Sequence, residues 1–202
     1  NSQYLANMLN KVNVLNGLGY LCRINESKKA LEYVQQALEL SKTLRYQRGI
    51  ALSFMNQGRV LVSFNRRDEA VKIQNKAIKL WKELRDSINV AESFRELGII
   101  YRNQGNFPES LNNLLNALKI YEKMGERIRQ GHTLASIGAL YYLQKKFKQS
   151  LDFHQKALEI HKFFNDQKNI AIDYNNLGNI YADLKNYDQA LIQYQNYKDV
   201  KD

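Results

Sequence analysis

One proline, one cysteine, three histidines and ten glycines stand in a chain of 202 residues. Each scarcity excludes something. A lone Cys22 closes no internal disulfide, so a small secreted fold built on disulfides is ruled out. So little glycine and proline cannot supply the turn every 8–12 residues or so that an all-β fold demands. No apolar run approaches the ~20 residues of a membrane span. The glycines form no dinucleotide fingerprint or phosphate loop, and no zinc-protease or calcium-loop motif is present. Gly17-Leu18-Gly19 stops short of such a fingerprint. His154 and His161 share a helix face, but their i, i+7 spacing is not that of a metal pair; they are expected as packing or surface residues. No metal, no cofactor and no catalytic residue is expected, and Cys22, with no histidine near it in sequence, is expected as a buried structural thiol. What is present is 44% hydrophobic and 25% charged residues, well mixed, as in a folded chain and unlike a disordered one.

The positive content is a repeat. Gly19, Gly58, Gly98, Gly138 and Gly178 recur at steps of 39, 40, 40 and 40 residues. Ala30, Ala70, Ser110, Ser150 and Ala190 keep steps of 40, as do Ala37, Ala77, Ala117 and Ala157 until Tyr197 ends that series. The one-residue deficit lies between Gly19 and Ala30, where it is expected to fall in a loop. Each copy reads as two helices: Ile170, Tyr174, Leu177 and Tyr181 fall on one helical face, a polar break follows at Lys185-Asn186, and a second helix runs from Tyr187 towards Val200. Pro108 marks a helix start, where its missing N–H has no intrahelical partner to lose. Helices of about 17 residues would be roughly 25 Å long.

A glycine inside a helix costs about 0.5–1 kcal/mol relative to alanine. Its return once per repeat predicts a helix lying too close to admit a Cβ. The Ala/Ser series on the second helix would supply the opposing shallow surface, and the Ala37 series would let the next repeat approach. The fold predicted is all-α, an α-solenoid of about five antiparallel helix pairs over approximately 6–45, 46–85, 86–125, 126–165 and 166–202, treated as a single domain spanning 1–202.

Leu97-Gly98-x-x-Tyr101, followed by Ser110 and Ala117, resembles the tetratricopeptide repeat (TPR) signature. Leu177-Gly178-Asn179-Ile180-Tyr181 with Ala190, and Ile137-Gly138 with Tyr141, Ser150 and Ala157, repeat it. The period is 40 instead of the usual 34 and the closing proline is missing, which makes the chain similar to the long-period TPR arrays of kinesin light chains, Pins-type regulators and bacterial regulatory proteins. Repeats one and two are more degenerate, with Cys22 and Leu61 in place of the tyrosine.

The resemblance implies that first helices line a groove for a protein or peptide. Counting from each glycine puts Tyr20 and Arg23, Met55 and Arg59, Arg95 and Arg102, His132 and Tyr142 on that groove, with Glu92 as the one acid among the positions counted in the first three repeats. Arginine forks suit carboxylates, so an acidic segment is the expected ligand, with Tyr20, Met55 and Tyr142 as apolar contacts. The competing reading pairs these arginines with Glu92 and Glu96. The clamp that some TPR domains use for a C-terminal carboxylate is poorly matched, since lysines are missing at Leu52 and Ile172.

The net charge is +10, and the second block of forty residues carries +7 of it. Lys72, Lys76 and Lys79 share a face there, with Arg66 and Arg67 beside them. Nucleic-acid binding through this patch is disfavoured against a solvated helix back, because no reader module accompanies it. The expectation is a cytoplasmic, non-catalytic interaction module excised from a longer protein. The alternative is the sensory input domain of a kinase, cyclase or transcription regulator.

Overall fold

The computed structural model describes residues 2–201, and every regular element among them is a helix. The helices are α1 (Ser2–Cys22), α2 (Ser27–Thr43), α3 (Gln47–Ser63), α4 (Arg67–Glu83), α5 (Ser87–Asn103), α6 (Phe107–Met124), α7 (Arg127–Leu143), α8 (Phe147–Phe163), α9 (Gln167–Asp183) and α10 (Tyr187–Lys201). They follow one another as the antiparallel pairs of the TPR-like α-solenoid class, seven of them, such as α3 and α4, with the 17-residue length expected. The chain forms two compact units, Asn1–Gln104 and Gly105–Asp202.

The turns explain the regularity. A residue with positive φ recurs at Arg45, Asn65, Arg85, Gly105, Gly125, Lys145, Asn165 and Lys185, a step of twenty residues throughout. In seven of these turns the next N–H reaches back five residues, as Arg66 does to the Leu61 carbonyl, while the positive-φ residue itself bonds three residues back, as Asn65 does to Val62. This double bond caps the orphan carbonyls of a helix end. The following N–H groups are capped at Asp86, Asn106 and Asp166 by side chains bonded to Asn89, Glu109 and Asn169. The 40-residue period therefore consists of two nearly equal halves. The first connection differs: α1 ends three residues after Gly19, whereas α3 runs five past Gly58, so the missing residue shortens the helix end instead of the loop.

In the first unit the core gathers Ala30, Val34 and Val60, then Leu61, Ala70 and Ile100; Cys22 packs at its margin half-buried, less enclosed than expected. In the second it gathers Leu114, Ile137 and Leu140, then Leu158, Ile170 and Leu177. The small-residue series are buried throughout: Ala30, Ala70, Ala77, Ala117, Ala157 and Ala190 among them. The glycines meet more than a shallow surface. A Cβ on Gly58 would stand 2.9 Å from Gln74, on Gly138 2.7 Å from His154 and on Gly178 2.5 Å from Tyr194, and on Gly19 it would collide with Val34. These partners lie four residues beyond the Ala/Ser series. The small residue brings the backbones together, as the 2.8 Å bond from Ser150 Oγ to the Gly138 carbonyl shows. The side chain one turn on then covers the glycine.

Candidate functional site

In the first unit the first helices adjoin one another, α1 against α3 and α3 against α5. Between them opens a cleft of about 390 Å³ lined by Tyr20, Arg23, Arg59, Val62, Arg95, Glu96 and Ile99, among others. The cleft brings Tyr20, Arg23, Arg59 and Arg95 together as expected from sequence. Met55 does not join them: it is 4% exposed and belongs to the core, because its position points between helices and not along the cleft wall.

Its charge is less one-sided than the arginine count implied. Arg59 Nη2 lies 2.6 Å from Glu92 Oε1 and 3.0 Å from Glu96 Oε1. Arg95 Nη2 lies 2.8 and 3.0 Å from the same two oxygens. Two guanidinium groups and two carboxylates thus form a closed square, with the Arg59 side chain only 11% exposed. Burial alone would pull the Arg59 pKa down, but Glu96 and Glu92 outweigh it and raise it above the ordinary value. Arg59 also donates from Nη1 to Asn56 Oδ1 at 3.2 Å, while Asn56 in turn donates to the Asn16 carbonyl at 3.1 Å. The square is therefore fixed from behind by buried amides.

Glu96 was outside the set of groove positions counted from the glycine, since it stands two residues before Gly98. The signal was available: the same position in the preceding repeat carries Asn56, polar and buried, bonded to Asn16 of the neighbouring first helix.

What remains unneutralised is Arg23. Its guanidinium lies 3.8 Å from the Tyr20 ring centroid and donates to the Tyr20 carbonyl. Arg59 lies 5.1 Å from the same ring, so Tyr20 is flanked by two cations. No carboxylate among the described residues pairs with Arg23. Arg102 sits at the last turn of α5, where burial lowers its pKa, its Nε has no partner and Nη2 reaches only Asn103 Oδ1 at 3.5 Å.

The second unit places His132 and Tyr142 on α7. Tyr142 lines a shallow pocket with Leu143, Lys145, Phe147 and Asp183, and its hydrogen bond to Asp183, helped by burial, raises its phenol pKa. His132 Nε2 lies 3.4 Å from Asp166 Oδ2 and 3.1 Å from Asn169 Nδ2. His154 and His161 are both buried, as packing residues would be, but they share a partner that sequence reasoning passed over. Asp173, fully buried on α9, sits 3.2 Å from His154 Nδ1 and 2.6 Å from His161 Nδ1. In repeats two, three and four its position holds Ser53, Ser93 and Thr133, all buried. A carboxylate where the register supplies hydroxyls was the readable signal.

The basic patch of repeat two is in part occupied: Arg66 makes a forked contact with Glu69 at 2.8 and 2.6 Å, while Lys72, Lys76 and Lys79 are exposed along α4. No helix among the described residues is long and apolar enough to cross a membrane.

The family model described as tetratricopeptide repeat matches residues 48–123 and 129–198, leaving α1 and α2 outside it. Among curated proteins none matches this sequence. Similar solved structures include BtubC (BKLC) from P. vanneervenii, with 18% identity and a TM-score of 0.74 over 99% of this chain and 90% of that one. A Rap protein complexed with Competence and Sporulation Factor is 13% identical with a TM-score of 0.77, over 95% of this chain and 64% of that one. The STAND signal-transduction ATPase with a tetratricopeptide repeat sensor from Pyrococcus horikoshii is 14% identical, TM-score 0.68, over 96% of this chain and 33% of that one.

Proposed function

The chain belongs to the tetratricopeptide repeat family, and from that membership we propose that it is a non-catalytic interaction module, residues 1–202 acting together as five repeats that hold a partner segment. The observation that supports this most is the α1–α3–α5 cleft, where Arg23 and the flanked Tyr20 stand beside a charge square whose arginines and carboxylates already satisfy one another. Arg59 and Arg95 are structural members of that square. Recognition of an acidic group falls to Arg23, with Tyr20, Val62 and Ile99 giving apolar contact to the adjoining residues of the ligand. Arg102 is a second cation for the same purpose.

The test is binding of a library of acidic and neutral peptides to the chain and to Arg23→Glu. Acidic peptides that bind at least tenfold more weakly to the variant, with an unchanged thermal melt, support the reading. Equal affinity for both proteins overturns the cleft assignment. A second reading, a sensory domain of a larger signalling protein, is favoured by the likeness to a structure titled as carrying a tetratricopeptide repeat sensor. A kinase, cyclase or DNA-binding segment in the full gene product would support that reading. Nucleic-acid binding through α4 remains disfavoured, and salt-independent or absent retention on nucleic acid at low ionic strength removes it.

A further inference from the structure

His161 ends α8 with its ring buried. Its Nδ1 donates to Asp173 Oδ2 at 2.6 Å, which leaves Nε2 as the ring nitrogen turned away from that carboxylate. That Nε2 is buried and has no hydrogen-bond partner. The backbone beside it is Gly131, where an added Cβ would stand 2.8 Å from Nε2. Repeats two, three and five carry Ala51, Ala91 and Ala171 at that position and repeat one Val12, so glycine occurs in the one repeat where a methyl group would cover this atom.

The surroundings are equally out of pattern. Where His161 stands, earlier repeats have Ser41, Trp81 and Tyr121; where His154 stands, they have Val34, Gln74 and Leu114. The helix pair needs neither imidazole and no carboxylate at 173. Three departures from the register nevertheless meet at one point. Next to that point lie two more donors, His132 Nε2 and Asp166 Oδ2, already 3.4 Å apart.

We propose that His132, His161 and Asp166 form a binding site for a divalent transition-metal ion of the Zn²⁺ type, closed by α7, α8 and the first turn of α9. The three donor atoms lie within 4.8 Å of one another. Bonds of about 2.0–2.2 Å in a tetrahedral site set donors about 3.4 Å apart, so one pair has that spacing now and modest side-chain rotations of His132, which is 34% exposed, and Asp166, 19% exposed, would close the rest. Two imidazoles and one carboxylate select Zn²⁺, Co²⁺ or Ni²⁺ over Mg²⁺ and Ca²⁺, and a water fills the fourth position.

Asp173 behind His161 is the carboxylate that orients a ligating imidazole and raises its basicity. Asp166 divides its labour: Oδ1 accepts the Asn169 backbone N–H at 3.3 Å and keeps α9 capped, while Oδ2 turns to the ion. Binding displaces the Asn169 amide, which now donates to Oδ2 at 2.7 Å.

The experiment is a calorimetric titration of the full chain, stripped by chelator, with Zn²⁺, and a parallel Co²⁺ titration followed in the visible. The expected result is one equivalent of Zn²⁺, intense four-coordinate Co²⁺ bands, a raised thermal midpoint and no displacement by excess Mg²⁺. His132→Ala, a partly exposed change, should weaken Zn²⁺ binding at least tenfold without altering the metal-free melt. Asp173→Asn should weaken it 10–100-fold through His161. Cys22→Ser should change nothing. Absence of stoichiometric Zn²⁺ binding, or equal affinity in wild type and His132→Ala, overturns the site.

Discussion

Arg95 illustrates how a side chain chosen as a ligand contact can be a structural one. Changing Arg95→Glu would leave three carboxylates against Arg59 in a cleft where each charge is mostly buried. Removing one partner from such a set costs about 3–5 kcal/mol, so this variant is expected to shift the urea midpoint markedly. Arg23→Glu, outside the square, should stay within about 0.5 kcal/mol of wild type. The glycines rank in the same way. Gly19→Ala drives a Cβ into Val34 and to 3.2 Å from the Ala30 carbonyl, whereas Gly58→Ala meets side-chain atoms of Gln74 alone, the nearest at 2.9 Å. Overpacking of about 1–3 kcal/mol against a helix-propensity gain of about 0.5–1 leaves Gly19→Ala destabilising by about 1–2 kcal/mol in chemical denaturation and Gly58→Ala destabilising by less. Asp86 gives the pH dependence. Burial pushes its carboxyl up, but bonds from Asn89 and the Arg48 guanidinium at 2.8 Å hold it below its ordinary value. A lowered folded-state pKa contributes stability that is full above the unfolded value of about 3.9 and lost as pH falls through the folded one. Stability should therefore fall below about pH 4, and Asp86→Asn should flatten that part of the curve.

At the scale of the element, six of the eight turns carry a non-glycine residue in the left-handed region. That conformation costs about 1–2 kcal/mol for an ordinary side chain, against about 0.5–1 for the extra unfolded freedom of glycine. Lys145→Gly should accordingly stabilise the chain by up to about 1 kcal/mol, read as a higher thermal midpoint. The same six residues explain what sequence reading could and could not reach. Helix number, length and pairing were legible, because the small residues repeat at forty and Pro108 marks a start. The twenty-residue half-period was not, because glycine announces the turn only at Gly105 and Gly125, while Arg45, Asn65, Arg85, Lys145, Asn165 and Lys185 adopt it without a compositional sign. Of the site, Tyr20, Arg23, Arg59 and Arg95 followed from register. Met55 and Asp173 did not, and Glu96 entered only as the competing partner for these arginines, since position along a helix does not reveal which way a neighbouring helix turns it.

For the whole molecule, a chain whose helices contact mainly their neighbours in sequence distributes its stability along its length. Excision of residues 46–85 joins Arg45 to Asp86 and recreates the turn that Arg85 and Asp86 make, since Arg45 and Arg85 share the same backbone conformation. The shortened chain is expected to keep its ellipticity per residue and melt cooperatively, at a lower temperature. Excision of 46–75 joins a helix end to a helix middle and should lose the cooperative transition.

The spacing of the left-handed turns also gives the chain a parity. A duplication of forty residues returns every later helix to its own role, with glycine again under its covering side chain. A duplication of twenty produces turns just as well formed, yet every helix beyond it changes places with its partner, so that residues built to face the cleft are delivered to the opposite side. Growth by half-steps would pass every local test of the backbone and fail only in packing, which makes the small-residue register, and not the turns, the feature that counts repeats in whole numbers.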